Sequence, residues 1–162
     1  MCRSRRQVKF LQSELWHLMA QSRPKNAMNM DQFNFLAVVV AALSTFVIGG
    51  LWYSPLLFGR AWMRANKFTA ADVARNSKLR AFGGTAVLAL VMSANLACFL
   101  ADEKTTVLWG MTAGALAGAG WAAAAIAVVA LFEQKSWTYI AINGGYQIVS
   151  FVVMGAILGA WR

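Results

Sequence analysis

The sequence predicts an all-α integral membrane protein, a four-helix bundle with a short helical cytoplasmic loop between spans one and two. Of its 162 residues, 59% are apolar and 13% are charged, about half the charged fraction of an ordinary soluble domain. The 15 basic and 6 acidic residues all lie outside four uncharged stretches. These stretches are residues 33–53, 81–100, 105–132 and 137–161.

Each uncharged stretch is long enough to cross a bilayer as a helix. The stretches contain 21, 20, 28 and 25 residues, and a rise of about 1.5 Å per residue carries each across a hydrocarbon core of about 30 Å. Because lipid offers no partners for backbone groups, segments of this length must be helices, since strands would need a closed barrel. We therefore expect residues 28–162 to form one four-span transmembrane domain.

The loop at residues 54–80 carries helix signals of its own. Ser54-Pro55 ends the first span, and Pro55 to Ala65 is expected to form a short interfacial helix. Thr69-Ala70-Ala71-Asp72 resembles a capping box and predicts a second short helix that continues into span two.

Residues 1–27 form a basic extension with six Lys and Arg residues against the single acid Glu14. One helical face of the extension would carry Val8, Leu11, Leu15 and Leu18. This spacing favours an amphipathic surface helix, and a disordered or spurious extension is the other interpretation. We favour Met28, directly before span one, as an alternative translation start.

The distribution of Lys and Arg predicts the orientation. Near the span ends, the side with the 54–80 loop and the 133–136 turn carries seven such residues, and the opposite side carries four. The positive-inside rule then places the loop in the cytoplasm and both termini outside. Counting the whole extension raises the opposite side to eight, so an extension that stays cytoplasmic could invert the protein or give mixed topology.

Small residues recur every four positions in all four spans. They are Ala37, Ala41, Thr45, Gly49, Thr85, Ala89, Ser93, Ala97, Gly110, Gly114, Gly118, Gly155 and Gly159. This spacing lets membrane helices approach closely and favours a compact bundle. The same seams could join copies into a homo-oligomer. The lipid bilayer and a second copy are therefore the partners that the sequence suggests, and it identifies no other protein partner.

A motif at the end of span one is the most distinctive part of the chain. It reads Gly50-Leu51-Trp52-Tyr53-Ser54-Pro55-Leu56-Leu57-Phe58-Gly59 and is followed by Trp62-Met63. With Asn34-Phe35-Leu36-Ala37 and Gly155-Ala156-Ile157-Leu158-Gly159, the chain from Met28 to Trp161 resembles a bacterial family of small four-span membrane proteins, domain of unknown function 1761. The resemblance implies a multi-pass protein of the bacterial cytoplasmic (inner) membrane, and it brings no substrate or catalytic residue. The candidate interfacial motif comprises Trp52, Tyr53, Ser54, Pro55, Gly59 and Trp62.

No catalytic constellation stands out. The only histidine, His17, lies in the extension, and Cys2 and Cys98 are far apart, so a histidine relay, a metal site and a disulfide are not expected. The glycines lack a Gly-Lys-Ser context for phosphate binding, and we expect no cofactor. The net charge of +9 fits the positive-inside rule better than nucleic-acid binding. We do not expect an enzyme.

Polar side chains in the spans form a candidate polar layer near mid-membrane. Its members are Thr45, Ser93, Asn95, Trp121, Asn143 and Gln147. Asn95, Trp121 and Gln147 are expected to turn inward and to bond one another or a backbone carbonyl, because an unpaired polar group in lipid is costly. The layer would either join helices or bind a small neutral ligand or a lipid headgroup.

Glu133 is the candidate for an ion pair. It ends span three, where the helix dipole disfavours a negative charge, so Arg60, Arg64 or Arg80 from the same membrane side is its expected partner. A solvated, unpaired carboxylate is the alternative, because exposed pairs contribute little.

The spans contain no ionisable carboxylate or base, which disfavours ion-coupled transport. The sequence therefore predicts an accessory, lipid-interacting or partner-binding bundle. The alternative is an oligomeric transporter or channel subunit for a small neutral solute.

Overall fold

The computed structural model describes residues 34–75, 77–102 and 105–161, and these residues form helices and turns without any strand. The helices are α1 (Phe35–Trp52), α2 (Gly59–Asn66), α3 (Ala70–Arg75), α4 (Lys78–Phe99), α5 (Val107–Phe132) and α6 (Trp137–Ala160). The predicted extension at 1–27 and the alternative start at Met28 lie outside the described residues. Helices α1, α4, α5 and α6 are long and apolar enough to cross a membrane. The predicted all-α, four-span fold is confirmed.

All four spanning helices begin at a polar capping side chain. Each cap accepts a hydrogen bond from the backbone N–H three residues later, which satisfies one of the donors that a helix start leaves unpaired. The caps are Asn34, Ser77, Thr106 and Ser136. Helix α4 begins before the predicted uncharged stretch, so Lys78 and Arg80 lie in its first turn. Their long aliphatic stems let charged groups near a membrane edge reach water.

The two short helices of the loop form with corrected boundaries. Helix α2 starts at Gly59 rather than at residue 55, because the preceding residues form tight turns in which the Leu57 N–H donates to the Ser54 carbonyl oxygen at 3.2 Å. The capping box of α3 forms as predicted: Thr69 N–H donates to Asp72 Oδ2 at 2.9 Å and Asp72 N–H donates to Thr69 Oγ1 at 3.2 Å. Helix α3 ends before Ser77 caps α4, so it does not continue into span two.

Helices α5 and α6 pack backbone against backbone through their glycines. A Cβ atom added at Gly110 would overlap the carbonyl oxygen of Gly155, and one added at Gly155 would overlap that of Gly110. Gly114 meets the Phe151 carbonyl in the same way. This seam lies inside the molecule, as expected for helices that associate by close approach of small residues.

Helix α6 is the centre of the bundle, with α1 and α5 packed against it and α4 packed mainly on α1. The Ser93 hydroxyl of α4 donates to the Val38 carbonyl oxygen of α1 at 2.9 Å. The core comprises Ala37, Val38, Ala41, Leu96, Leu100, Ala113, Phe151, Met154 and Leu158. Helices α4 and α5 follow one another in the chain after a short connection, but they do not pack closely against each other. A groove separates them.

The middle of α5 is a π-helical segment, Gly118–Ala123, between two α-helical halves. A π-turn contains one residue more than an α-turn, and such segments frequently mark functional sites. Gly118 abuts α6, where an added Cβ atom would lie 2.9 Å from the Ile148 Cα atom. Trp121, in the same segment, is 74% exposed. The extra residue therefore turns a large aromatic side chain outward in mid-span.

Candidate functional site

The chain folds back on itself directly after α1. Phe58 N–H donates to the Trp52 carbonyl oxygen at 3.0 Å, and Gly59 N–H donates to that of Ser54 at 2.9 Å. Gly59 is buried, and a Cβ atom there would overlap the Tyr53 carbonyl oxygen. Only glycine fits this contact without movement of the backbone.

The two aromatic residues of the motif bind α6. The Trp52 Nε1–H donates to the Ile142 carbonyl oxygen at 3.0 Å. The Trp52 ring packs against Gly145, where an added Cβ atom would lie 3.1 Å from the ring. The Tyr53 hydroxyl donates to Asn143 Oδ1 at 2.9 Å. Side chains of the motif that ends the first span thereby attach this span to the fourth.

Further rings complete an aromatic cluster, comprising Trp52, Tyr53, Phe58, Trp62, Phe68 and Tyr146. The Tyr53 ring lies 5.6 Å from Trp62 and 5.3 Å from Tyr146, measured between centroids. The Tyr146 hydroxyl donates to the Thr45 carbonyl oxygen at 3.2 Å. Offset and edge contacts of this kind stabilise aromatic groups beyond simple burial. The interfacial motif is thus gathered in one place, except for Pro55, which is exposed.

The polar layer is not one layer in the structure. Thr45 and Ser93 are buried, and their hydroxyls donate to carbonyl oxygens of Ala42 and Val38 at 2.7 and 2.9 Å. Asn143 accepts a hydrogen bond from Tyr53 and lies close to the loop that joins the first two spans. Gln147 is half-buried, but no hydrogen bond links it to the other members within the described residues.

The expected inward orientation is wrong for Asn95 and Trp121. Asn95 is exposed, and its Nδ2 donates to the Val91 carbonyl oxygen of its own helix at 2.9 Å. Ser93, only two positions earlier, faces the interior. Residues two apart on a helix point in nearly opposite directions, so similar depth in the membrane does not bring their side chains together.

Asn95 and Trp121 instead line the groove between α4 and α5, which has a volume of about 700 Å³. The lining residues are Val91, Met92, Asn95, Leu96, Phe99, Trp109, Ala113, Leu116, Ala117, Trp121 and Phe151. The sequence contains no signal for most of these, since the separation of two consecutive helices depends on how both pack against α6. An apolar cavity with a few polar groups is the usual form of a small-molecule site.

Two polar groups of the groove have no partner among the described residues. Asn95 donates one of its two Nδ2 hydrogens to its own helix, which leaves Oδ1 and the second amide hydrogen available, and Trp121 Nε1–H is a donor without an acceptor. In hydrocarbon such groups cost free energy unless something bonds them. The groove therefore offers an acceptor on Asn95 and donors on Asn95 and Trp121 inside an otherwise apolar wall.

The proposed ion pair of Glu133 is wrong for the part of the chain that the structure describes. Glu133 is exposed at the end of α5 and forms no ion pair with Arg60, Arg64 or Arg80, which are also exposed. Ordering two long side chains for an exposed pair brings little free energy, so a solvated carboxylate is the stable arrangement. Lys135 lies 5.7 Å from the centre of the Tyr139 ring.

The described residues contain no group of three or more His, Cys, Asp or Glu side chains that could hold a metal ion. A family model described as a protein of unknown function, DUF1761, matches residues 36–159. No curated protein and no solved structure matches the chain. The matched region includes the aromatic motif, the glycine seam and the groove.

Proposed function

Because the chain belongs to the family DUF1761, whose function is unknown, we propose a function from the geometry: a non-enzymatic, lipid-binding bundle of the bacterial cytoplasmic membrane. The groove between α4 and α5 is the observation that carries this proposal. It is the binding site for an apolar chain that bears a hydroxyl or carbonyl group near its middle. Both termini lie outside the cytoplasm, as the Lys and Arg distribution favours.

The size of the groove favours a lipid chain over a partner helix. Its volume of about 700 Å³ falls within the roughly 300 to 1,000 Å³ of sites that enclose small ligands. A spanning helix about 10 Å wide and 30 Å long occupies roughly 2,400 Å³. The groove could admit only a row of side chains from such a helix.

The polar pair in the groove indicates which chain fits. A hydroxyl at mid-membrane depth can donate to Asn95 Oδ1 or accept from Trp121 Nε1–H. A plain alkyl chain leaves both groups unsatisfied. One hydrogen bond in this setting contributes about 0.5 to 1.5 kcal/mol, which corresponds to a preference of roughly two- to tenfold.

Photo-crosslinking with phospholipids that carry a diazirine in the acyl chain tests the proposal. We expect saturable labelling of groove residues such as Val91 and Leu116, above the labelling of lipid-facing Val128 and Val47. Val91→Trp, which fills the groove, should abolish the saturable signal. Leu90→Trp is the matched control, because Leu90 is 40% exposed and lies outside the groove.

Competition by two acyl chains, with and without a mid-chain hydroxyl, tests the polar pair. The hydroxylated chain should compete more strongly, and Asn95→Leu should reduce that preference while leaving the thermal unfolding midpoint unchanged. Equal labelling of every lipid-facing position would contradict a binding site in the groove. Flux of a neutral solute through liposomes would favour transport instead.

A further inference from the structure

Helix α2 is held firmly at the end of the first span. Trp62 packs edge-on against Tyr53 and Phe68, with ring centroids 5.6 Å apart in both pairs. The Asn66 side-chain amide donates to the Trp62 carbonyl oxygen at 2.9 Å. Since Tyr53 is itself bonded to α6, the position of α2 is fixed relative to the spanning helices. A helix attached at the end of a membrane span is expected at headgroup level.

Two arginines occupy the opposite face of this short helix. Arg60 and Arg64 are one turn apart, so they share a face, and both are exposed. They line an open hollow of about 510 Å³ together with Met63 and Phe68. Neither arginine has an acidic partner in the described ranges.

The turn after α2 places an apolar side chain beside the arginines. Lys67 adopts a left-handed conformation with φ of 57°, and its N–H donates to the Arg64 carbonyl oxygen at 3.1 Å. Phe68 N–H then donates to the Met63 carbonyl oxygen at 3.0 Å. Phe68 is thereby brought back to the hollow, where it remains 46% exposed.

The loop that contains the hollow is strongly positive. Residues 54–80 contain six Lys and Arg residues and one acid, Asp72, whose carboxylate accepts hydrogen bonds from Thr69. Guanidinium groups bind phosphate through paired, charge-assisted hydrogen bonds. An adjacent apolar wall suits the first carbons of an acyl chain.

We propose that Arg60 and Arg64 bind the phosphate of an anionic phospholipid, with Met63 and Phe68 against its glycerol and upper acyl carbons. This headgroup site is separate from the groove between α4 and α5, and it does not depend on the function proposed for the groove. The proposed site applies to either orientation of the loop in the membrane, because only residues of the loop contact the lipid.

Native mass spectrometry of the full chain in detergent tests the site with phosphatidylglycerol and phosphatidylcholine as probes. We expect one phosphatidylglycerol to be retained preferentially. An arginine beside anionic lipid favours binding by roughly fivefold, so Arg60→Gln with Arg64→Gln should weaken retention by roughly twenty-five-fold. Arg75→Gln with Lys78→Gln removes the same charge outside the hollow and should weaken it less than threefold.

Arg60→Lys with Arg64→Lys separates charge from geometry. It keeps both cations but loses the planar fork, so we expect retention between those of the wild type and the glutamine variant. All four positions are exposed, and unchanged thermal unfolding midpoints would exclude a folding defect. Val91→Trp should leave phosphatidylglycerol retention intact, because it affects the groove alone.

Three results would overturn the headgroup site. The first is equal weakening by the two glutamine pairs, which would indicate diffuse electrostatic attraction. The second is equal retention of phosphatidylglycerol and phosphatidylcholine. The third is displacement of the lipid by inorganic phosphate alone, which would show that the arginines recognise a free anion without the lipid.

Discussion

The Trp52 indole donates a hydrogen bond to the Ile142 carbonyl oxygen, 90 positions further along the chain. A carbonyl inside an α-helix normally accepts only from the N–H four residues later, so Ile142 accepts a second bond from α1. Gly145, one turn further on, leaves the space in which the indole ring lies. The contact fixes both the rotation of α1 and its distance from α6.

Trp52→Phe should test this attachment, since it keeps an aromatic ring but removes the donor. We expect the free energy of unfolding to fall by about 1 kcal/mol, measured as a lower thermal unfolding midpoint in detergent. Trp137→Phe is the control, because Trp137 is 74% exposed, and its effect should stay within about 0.5 kcal/mol. Equal effects of the two substitutions would argue against a specific role for the indole N–H.

Gly155→Ala should separate α5 from α6, because the new Cβ atom would overlap the Gly110 carbonyl oxygen. Overpacking of this kind costs about 1 to 3 kcal/mol. Gly84→Ala is the matched control: nothing lies within 4 Å of a Cβ atom there, and alanine favours a helix by up to about 1 kcal/mol. Thermal unfolding should therefore shift in opposite directions, and a stable Gly155→Ala variant would contradict the close packing.

Two buried serines should respond oppositely to alanine. Ser93 donates across helices to Val38, so Ser93→Ala should lower the free energy of unfolding by about 1 kcal/mol. Ser150 Oγ is buried and has no hydrogen-bond partner among the described residues. Ser150→Ala removes an unsatisfied hydroxyl and should raise the free energy by about 1 kcal/mol. A loss of stability in Ser150→Ala would mean that the hydroxyl has a partner.

Cysteine labelling should decide the orientation. In a background without Cys2 and Cys98, we expect an impermeant maleimide to modify Trp161→Cys on intact cells but not Ser77→Cys. Both positions are exposed, so accessibility within the protein does not limit either reaction. The reverse pattern would place the loop outside.

The Asp72 carboxylate should titrate below its ordinary range, because hydrogen bonds from the Thr69 hydroxyl and N–H lower its pKa. A lowered pKa in the folded state means that the carboxylate stabilises α3 above about pH 3.9 and loses this effect as the pH falls through the folded pKa. Thr69→Val removes the hydroxyl and should raise the pKa of Asp72. A carboxyl-carbon NMR titration measures the change, and an unmoved pKa would contradict the capping box.

The number and limits of the spans could be predicted from the sequence, because a segment that crosses the membrane carries no charged residue in this chain. Which way a side chain faces could not, since it depends on rotation about the helix axis. Ser93 and Asn95 have almost the same depth, yet one is buried against α1 and the other faces the groove. The direction of Trp121 was harder still to predict, because the π-helical segment changes the direction in which side chains point partway along the third span.

The spacing of the small residues on the α6-facing side of α5 changes at the π-helical segment. Gly110, Gly114 and Gly118 are spaced by four, but Ala123, which lies against Gly144 of α6, follows Gly118 after five. A chain shorter by one residue here would turn everything beyond it by about 100° and carry Ala130, now 1% exposed, away from α6. The third span therefore consists of two α-helical halves, and the π-helical segment between them keeps both facing α6. Deleting one residue from that segment would rotate one half relative to the other.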